Sequence, residues 1–334
     1  MQKEIVKLSF SEPLHLSKGK DNFDSSETVI HSDTIKSAIF ACMMQLFGNQ
    51  VTVNGEVYTD TELFAAFQVS SAFPYYQSTL FLPKPMKDAD LFMGVKEEDR
   101  KQVKKIAYLT TAEFQKIAQG EKCYFDPKKH HKNAIFYGDT SVPKSLFKNE
   151  VLQRVAIPRM LTNDATPFYM DKLYFQEGAG LYFIFTVNNE VLKPYVKAGL
   201  KLLSENGLGT DRSVGQGGFT YQFDTLSLSL PEDGKEQMAL SLFCPKNQQD
   251  LPPLNASYYK LIKRGGWIAS PLNEHHMSLR KKSIYMFAEG SVFPKHNYQG
   301  KVVDLKPDIL KEDQHHAIWR DGTPIFLPIN LNAS

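Results

Sequence analysis

Cysteine is scarce in this 334-residue chain: Cys42, Cys123 and Cys244 are the full set. Three scattered thiols exclude a disulfide framework and a thiolate metal centre, and they fit a reducing compartment. Arginine is scarce too, at seven positions (Arg100, Arg154, Arg159, Arg212, Arg264, Arg280 and Arg320) among 39 basic residues. Arginine holds phosphate through two parallel N–H bonds and lysine does not, so each of the seven repays placing. Net charge is only +2; any affinity for nucleic acid must come from local patches rather than a global field. Long apolar runs are missing. The longest, about Ala38–Phe47 and Leu181–Val187, cannot span a bilayer, and Met1-Gln-Lys-Glu-Ile5 opens without the apolar core of a secretory signal. The expectation is a cytoplasmic chain with no membrane partner. HExxH, CxxC and paired-carboxylate motifs are absent. The pairs His130-His131, His275-His276 and His315-His316 are adjacent residues whose side chains diverge, so none has metal-ligand spacing. No metal or cofactor is expected.

What the chain does have is Gly207-Leu-Gly-Thr-Asp-Arg-Ser-Val-Gly-Gln-Gly-Gly-Phe219, five glycines in thirteen residues. It follows a helical pattern over about Asn189–Ser204 and precedes a strand pattern over Phe219–Leu230, whose alternation shifts near Asp224. Glycine lets the backbone take positive φ and approach a partner closely. With Arg212 and Ser213 in its middle, the loop suits an RNA phosphate backbone. A Rossmann turn is excluded, since that loop leads from strand to helix. A P-loop lysine is missing, and Asp211 breaks the Gly-x-Ser-x-Gly elbow. The alternative is a long loop that merely turns from helix to strand.

Lys3–Phe10 alternates as a first strand. Ser32 or Asp33 caps a helix carrying Ile35, Ile39 and Met43, and Gly48 ends it. Such a helix N-terminus also attracts anions, with Lys36 one turn in. Ser78–Leu82 reads as strand. Residues 84–153 read as an insertion whose 14 Lys and Arg against 10 Asp and Glu give a local excess of four. It holds a lysine-rich helix near Glu97–Tyr108, a helix Thr111–Gln119 with a Thr110/Glu113 capping box, and a basic tip, Asp126–Lys132. Val155–Met160 reads as a strand with Arg159 at its end, and Leu173–Phe175 and Leu181–Val187 as a hairpin around Glu177–Gly180. Strand–helix–strand–strand–helix–strand is the ferredoxin-like, RRM-like order. After Pro231 come strands Met238–Phe243, Gly266–Ala269, Ser283–Phe287 and Ile325–Ile329 and a helix Ala256–Lys263, a degraded second unit of the same kind. Leu279-Arg-Lys-Lys282 is a basic cluster that reads as a solvated face. The fold class is α+β: residues 1–230 with the insertion 84–153, then residues 231–334.

Several stretches together resemble the fourth subunit of the Csm complex, the type III-A CRISPR effector, in the RAMP superfamily. They are Ile30-His-Ser-Asp-Thr-Ile-Lys-Ser-Ala38, Leu80-Phe-Leu-Pro-Lys-Pro85, Val155-Ala-Ile-Pro-Arg159, Pro167-Phe-Tyr169, Gly180-Leu-Tyr-Phe183, the glycine loop, Lys282–Val292 and His316–Arg320. The resemblance implies two RAMP domains of ferredoxin-like type, the first with a helical basic thumb. It also implies a binding role without catalysis in antiviral defence. Such a subunit grips the 5′ repeat-derived tag of the CRISPR RNA, docks the large polymerase-like subunit and a RAMP backbone subunit, and meets target RNA only indirectly. Asp33 sits in the region where backbone subunits carry a metal-dependent aspartate, but in this family it is not the cutting residue.

The expected RNA site is Gly207, Gly209, Arg212, Ser213, Gly215, Gly217 and Gly218, completed by Ser32, Lys36 and Arg159, with the insertion as a thumb on the guide. The rival reading is a RAMP-fold endoribonuclease that processes repeat RNA, with His31 a candidate histidine. A protein-binding adaptor is the third, against which the Arg212 loop argues.

Overall fold

The computed structural model describes residues 1–16, 23, 25–87, 91–129, 136–139, 141–143, 145–157, 165–268, 279–310 and 317–331. It is a mixed α/β structure with many strands and few helices. The first strand, Gln2–Phe10, lies inside an eight-stranded sheet, antiparallel to Ala179–Val187 on one side and to Phe219–Ser227 on the other. Beyond Ala179–Val187 the sheet runs through Phe73–Tyr76, Thr79–Pro83, Tyr108–Thr110 and Phe136–Tyr137, and Phe67–Val69 pairs with the end of Ala179–Val187.

The period of two along a strand sends alternate residues to opposite faces, and each face builds its own core. The register partners Val6 and Phe183, with Leu8 and Leu181, pack with Ile35, Ile39 and Met43 of the helix Ser32–Phe47 and with Val196, Leu200 and Leu203 of the helix Lys193–Asn206. Gly199 makes the helix contact possible: a Cβ there would stand 3.0 Å from the Ile39 carbonyl oxygen. The alternation shift near Asp224 is real. Phe219 packs on the helical side and Leu226 on the other.

On that other face Ile5, Tyr182 and Ile184 meet Phe81, Leu109, Phe114 and Phe136 from one side and Met238, Leu240, Leu327 and Ile329 from the other. The segment 84–153 is therefore no protruding thumb. Two of its strands extend the sheet, and Leu109, Phe114 and Tyr137 are fully buried. Burying a large apolar side chain is worth roughly 1.5–3 kcal/mol, more than exposed lysines gain by standing off the body. Its lysine-rich helix is shorter than expected, a 3₁₀ turn at Glu97–Asp99 and then Arg100–Lys105, because Tyr108–Thr110 is recruited to the sheet. The helix Thr111–Ala118 forms, but only half its box does. The Thr110 hydroxyl accepts the Glu113 N–H at 3.5 Å, while the Glu113 carboxylate pairs with Lys129 at 2.9 Å.

The element that reaches into solvent is an antiparallel ribbon, Phe147–Ala156 with Thr166–Phe175, anchored to the body where Met170–Leu173 are buried. It straddles the expected end of the insertion. No hairpin forms around Glu177–Gly180, since Ala179–Val187 pairs with other strands.

In the C-terminal half, Glu236–Ala239, Val292–Pro294 and Phe326–Ile329 form one small sheet, and Leu261–Arg264/Ile284–Phe287 and Val302–Asp304/Trp319–Asp321 two more. The expected helix Ala256–Lys263 is instead a 3₁₀ turn at Leu254–Ala256 followed by the strand Leu261–Arg264. Pro252-Pro253 and the aromatic and branched run after it favour extended backbone, and the paired strand supplies hydrogen bonds that a short lone helix would not hold. No α-helix occurs among the described residues of this half, so the strand–helix alternation expected there is not seen. No helix among the described residues is long and apolar enough to cross a membrane.

Candidate nucleic-acid interface

The helix Lys193–Asn206 ends as Gly207 takes φ +79° and donates to the Leu203 carbonyl at 2.8 Å. The loop then closes on itself and on an upstream segment. Leu208 N–H donates to Gly217 O at 2.9 Å, Thr210 N–H to His15 O at 3.2 Å, and Gly217 N–H to Pro13 O at 3.1 Å. A Cβ on Gly209 would stand 2.5 Å from the His15 oxygen, and one on Gly217 would overlap the Leu208 carbonyl. Gly207, Gly209 and Gly217 thus serve the loop's own closure, which corrects the expectation that all five glycines present backbone outward. The outward part is the turn Arg212–Val214 with Gly215 in the left-handed region, open space around it. Arg212, Ser213 and Gly215 are exposed and Gly218 is half-buried.

Arg154 on the ribbon reaches across to the loop, its Nη1 2.6 Å from Asp211 Oδ2. Sequence reasoning did not single out that pair. Arg159 lies outside the described residues.

Ser32 and Lys36 are not beside the loop's outer surface. Ser32 is buried, its backbone N–H donating to Ser71 Oγ and its hydroxyl accepting the Leu242 N–H, each at 3.0 Å. Lys36 is buried against the Phe64 ring, with Nζ 2.9 Å from Asp321 Oδ2. Neither Ser32 nor Asp33 caps the helix through its side chain; His31 holds the cap position. The physical reason is that the C-terminal half docks there and claims these groups. Asp33 is wholly buried, with Oδ2 2.9 Å from Arg264 Nε and 3.0 Å from Arg320 Nη1. Burial alone would raise its pKa, but Arg320 and Arg264 hold it well below the ordinary carboxylate range. His31 sits 3.0 Å from Glu289 and 3.6 Å from Glu27.

Beyond this cluster a cavity of about 440 Å³ opens between the first helix, the glycine loop and the C-terminal half. Arg212, Arg264, Lys281 and Arg320 line it. Of these, sequence reasoning singled out only Arg212. The cluster at Leu279–Lys282, read there as a solvated face, supplies Lys281 to the cavity wall.

Residues 232–329 match the family model of the CRISPR Csm4 C-terminal domain. Over nearly its whole length the chain aligns with curated proteins named CRISPR system Cms protein Csm4. The Methanocaldococcus jannaschii protein is 24% identical, over 99% of this chain and 98% of its own. The Mycobacterium tuberculosis one is 26% identical, over 95% of each. The chain is Csm4-like throughout. Its fold likewise matches a solved Csm3-Csm4 subcomplex of the type III-A CRISPR-Cas interference complex (TM-score 0.64, 19% identity, 99% of this chain and 100% of that one). A Csm1-Csm4 cassette in complex with AMPPNP matches with TM-score 0.60 and 18% identity, over 100% of both chains. The Csm4 likeness takes in the glycine loop and the C-terminal strands that supply the cavity.

Proposed function

We propose that this protein is a non-catalytic, RNA-binding subunit of a type III-A CRISPR effector. It grips the 5′ repeat-derived tag of the CRISPR RNA through the outer turn of its glycine loop and acts in the cytoplasm. The carrying observation is that turn: Arg212, Ser213 and Gly215 exposed on a loop whose other glycines fix it rigidly to the body. An exposed arginine beside a serine hydroxyl on a fixed turn suits a phosphate chain. The antiparallel order Phe219–Ser227, Gln2–Phe10, Ala179–Val187, Phe73–Tyr76 supports a ferredoxin-like first unit, with the boundary to the second near residue 230. Likeness to Csm1-Csm4 and Csm3-Csm4 assemblies supports docking on the corresponding large and backbone subunits, with target RNA met indirectly.

Against the endoribonuclease reading stand two groups already committed. Asp33 spends both oxygens on arginines, and His31 lies between two glutamates. Binding of CRISPR RNA with and without its tag to the purified protein tests the proposal; equal affinities overturn it. Repeat RNA incubated with magnesium or EDTA should stay intact, and a discrete cut lost in His31→Ala would establish the enzyme instead.

A further inference from the structure

Residues 13–15 run between the ribbon and the glycine loop and are hydrogen-bonded to both. Leu14 N–H donates to Leu173 O of the ribbon at 2.9 Å, and Leu173 N–H donates back to Leu14 O at 2.8 Å. The carbonyls of Pro13 and His15 accept instead from Gly217 and Thr210 of the loop. Successive residues of an extended chain turn their backbone groups to opposite edges, so the ribbon lies along one edge of this segment and the loop along the other. One ion pair then joins ribbon to loop directly. Arg154, opposite Phe168 in the ribbon, places Nη1 2.6 Å from Asp211 Oδ2 and 3.6 Å from Met170 Sδ. Asp211 is the residue before Arg212, and its side chain caps no N–H of the turn that follows. A carboxylate there opposes the binding of an anion to Arg212, because exposed charges are felt over roughly 10 Å at 0.1 M salt. The Asp211 side chain is only 13% exposed and that of Arg154 32%, so water screens the pair incompletely.

We propose that Arg154 is a positioning residue for the glycine loop: by neutralising Asp211 it leaves the Arg212 charge free to hold phosphate. This rests on the RNA-binding function proposed above and adds that the loop's affinity is set from the ribbon. With the pair intact its two charges sum to zero. Removing Arg154 leaves a bare carboxylate beside Arg212, and removing Asp211 frees a second guanidinium there. Removing both restores the zero sum while leaving no bond between ribbon side chain and loop. Affinity for RNA should therefore follow the local charge and not the presence of the ion pair.

A double-mutant cycle on the full-length protein, titrated with tagged and untagged CRISPR RNA, tests the proposal. Arg154→Met should bind tagged RNA about tenfold more weakly, the size of one uncompensated charge near a surface. Asp211→Asn should bind it several-fold more tightly. The double variant should return to within about twofold of wild type. Melting temperatures should stay close to that of wild type, since a partly exposed ion pair adds little to stability. If Arg154 served only to hold the loop's shape, Asp211→Asn would break the same pair, weaken binding and rescue nothing. If Arg154 bound phosphate itself, the double variant would stay as weak as Arg154→Met. Either pattern overturns the proposal, as does unchanged binding by Arg154→Met. Should Arg154→Met fail to fold, Asp211→Asn decides alone: tighter binding supports the proposal, and equal or weaker binding overturns it. A wild type that prefers tagged RNA while the variants depart from this order sinks the inference and spares the function. A wild type indifferent to the tag sinks the tag-binding function, and the order is then read on untagged RNA. A wild type that binds neither RNA overturns both.

Discussion

Arg264 clasps Asp33 along one edge of its guanidinium, Nε to Oδ2 at 2.9 Å and Nη2 to Oδ1 at 3.1 Å. The pair joins the start of the first helix to a strand of the C-terminal half, and Arg320 closes on the same carboxylate. Removing one partner of a buried ion cluster leaves the others uncompensated, which costs about 3–5 kcal/mol. Asp33→Ala should therefore lower unfolding stability by that amount in urea titrations. A loss of less than about 1 kcal/mol would show that the cluster does not hold the halves together.

The neighbouring His31–Glu289 contact should make stability depend on pH. Burial lowers the His31 pKa, but the Glu289 carboxylate more than reverses this and leaves it above 6.5. Its contribution is full below 6.5 and is lost as pH rises through the raised folded value. Burial would raise Glu289, but His31 holds it below 4.5, so its contribution is present above 4.5 and lost as pH falls. The stability gap between wild type and Glu289→Gln should be widest between those two values. A gap that stays flat from pH 4 to 9 would rule the contact out as a stabilising pair.

Arg212→Ala should weaken tag RNA binding by about 1.5–3 kcal/mol, the range for a charge-assisted hydrogen bond. Thermal stability should barely move, since the side chain is exposed on a loop. Unchanged RNA affinity would remove the loop from the RNA site.

Phe136→Ala addresses the status of the 84–153 segment. Phe136 is 2% exposed and stacks with Tyr108, and truncating a buried phenylalanine costs about 3–5 kcal/mol. A variant as stable as wild type would return this segment to the role of a separable appendage.

Local features were legible in the chain. The first strand, the helix ended by Gly48, the helix before the glycine loop and the shift at Asp224 all declare themselves within a dozen residues. Their signals are periodicity, caps and glycine, each acting through near neighbours. The glycine loop was legible as a loop; which of its glycines face inward was not, because that depends on Pro13 and His15 lying beneath it. Lys36 looked like a phosphate ligand one turn into a helix until Asp321, 285 residues away, claimed it. Ser32 looked like a cap until the Leu242 N–H took its hydroxyl. The basic count of the 84–153 segment suggested a projecting thumb, whereas its phenylalanines and leucines put it in the core. The cavity unites Ser37, Arg212, Trp267, Lys281 and Arg320, five positions with no common local pattern. Backbone hydrogen bonding and side-chain period are set by adjacent residues, and the sequence determines those by itself. A charge's partner, and whether a donor faces water or a cavity, is set by which distant segments pack together, and only the tertiary structure decides that.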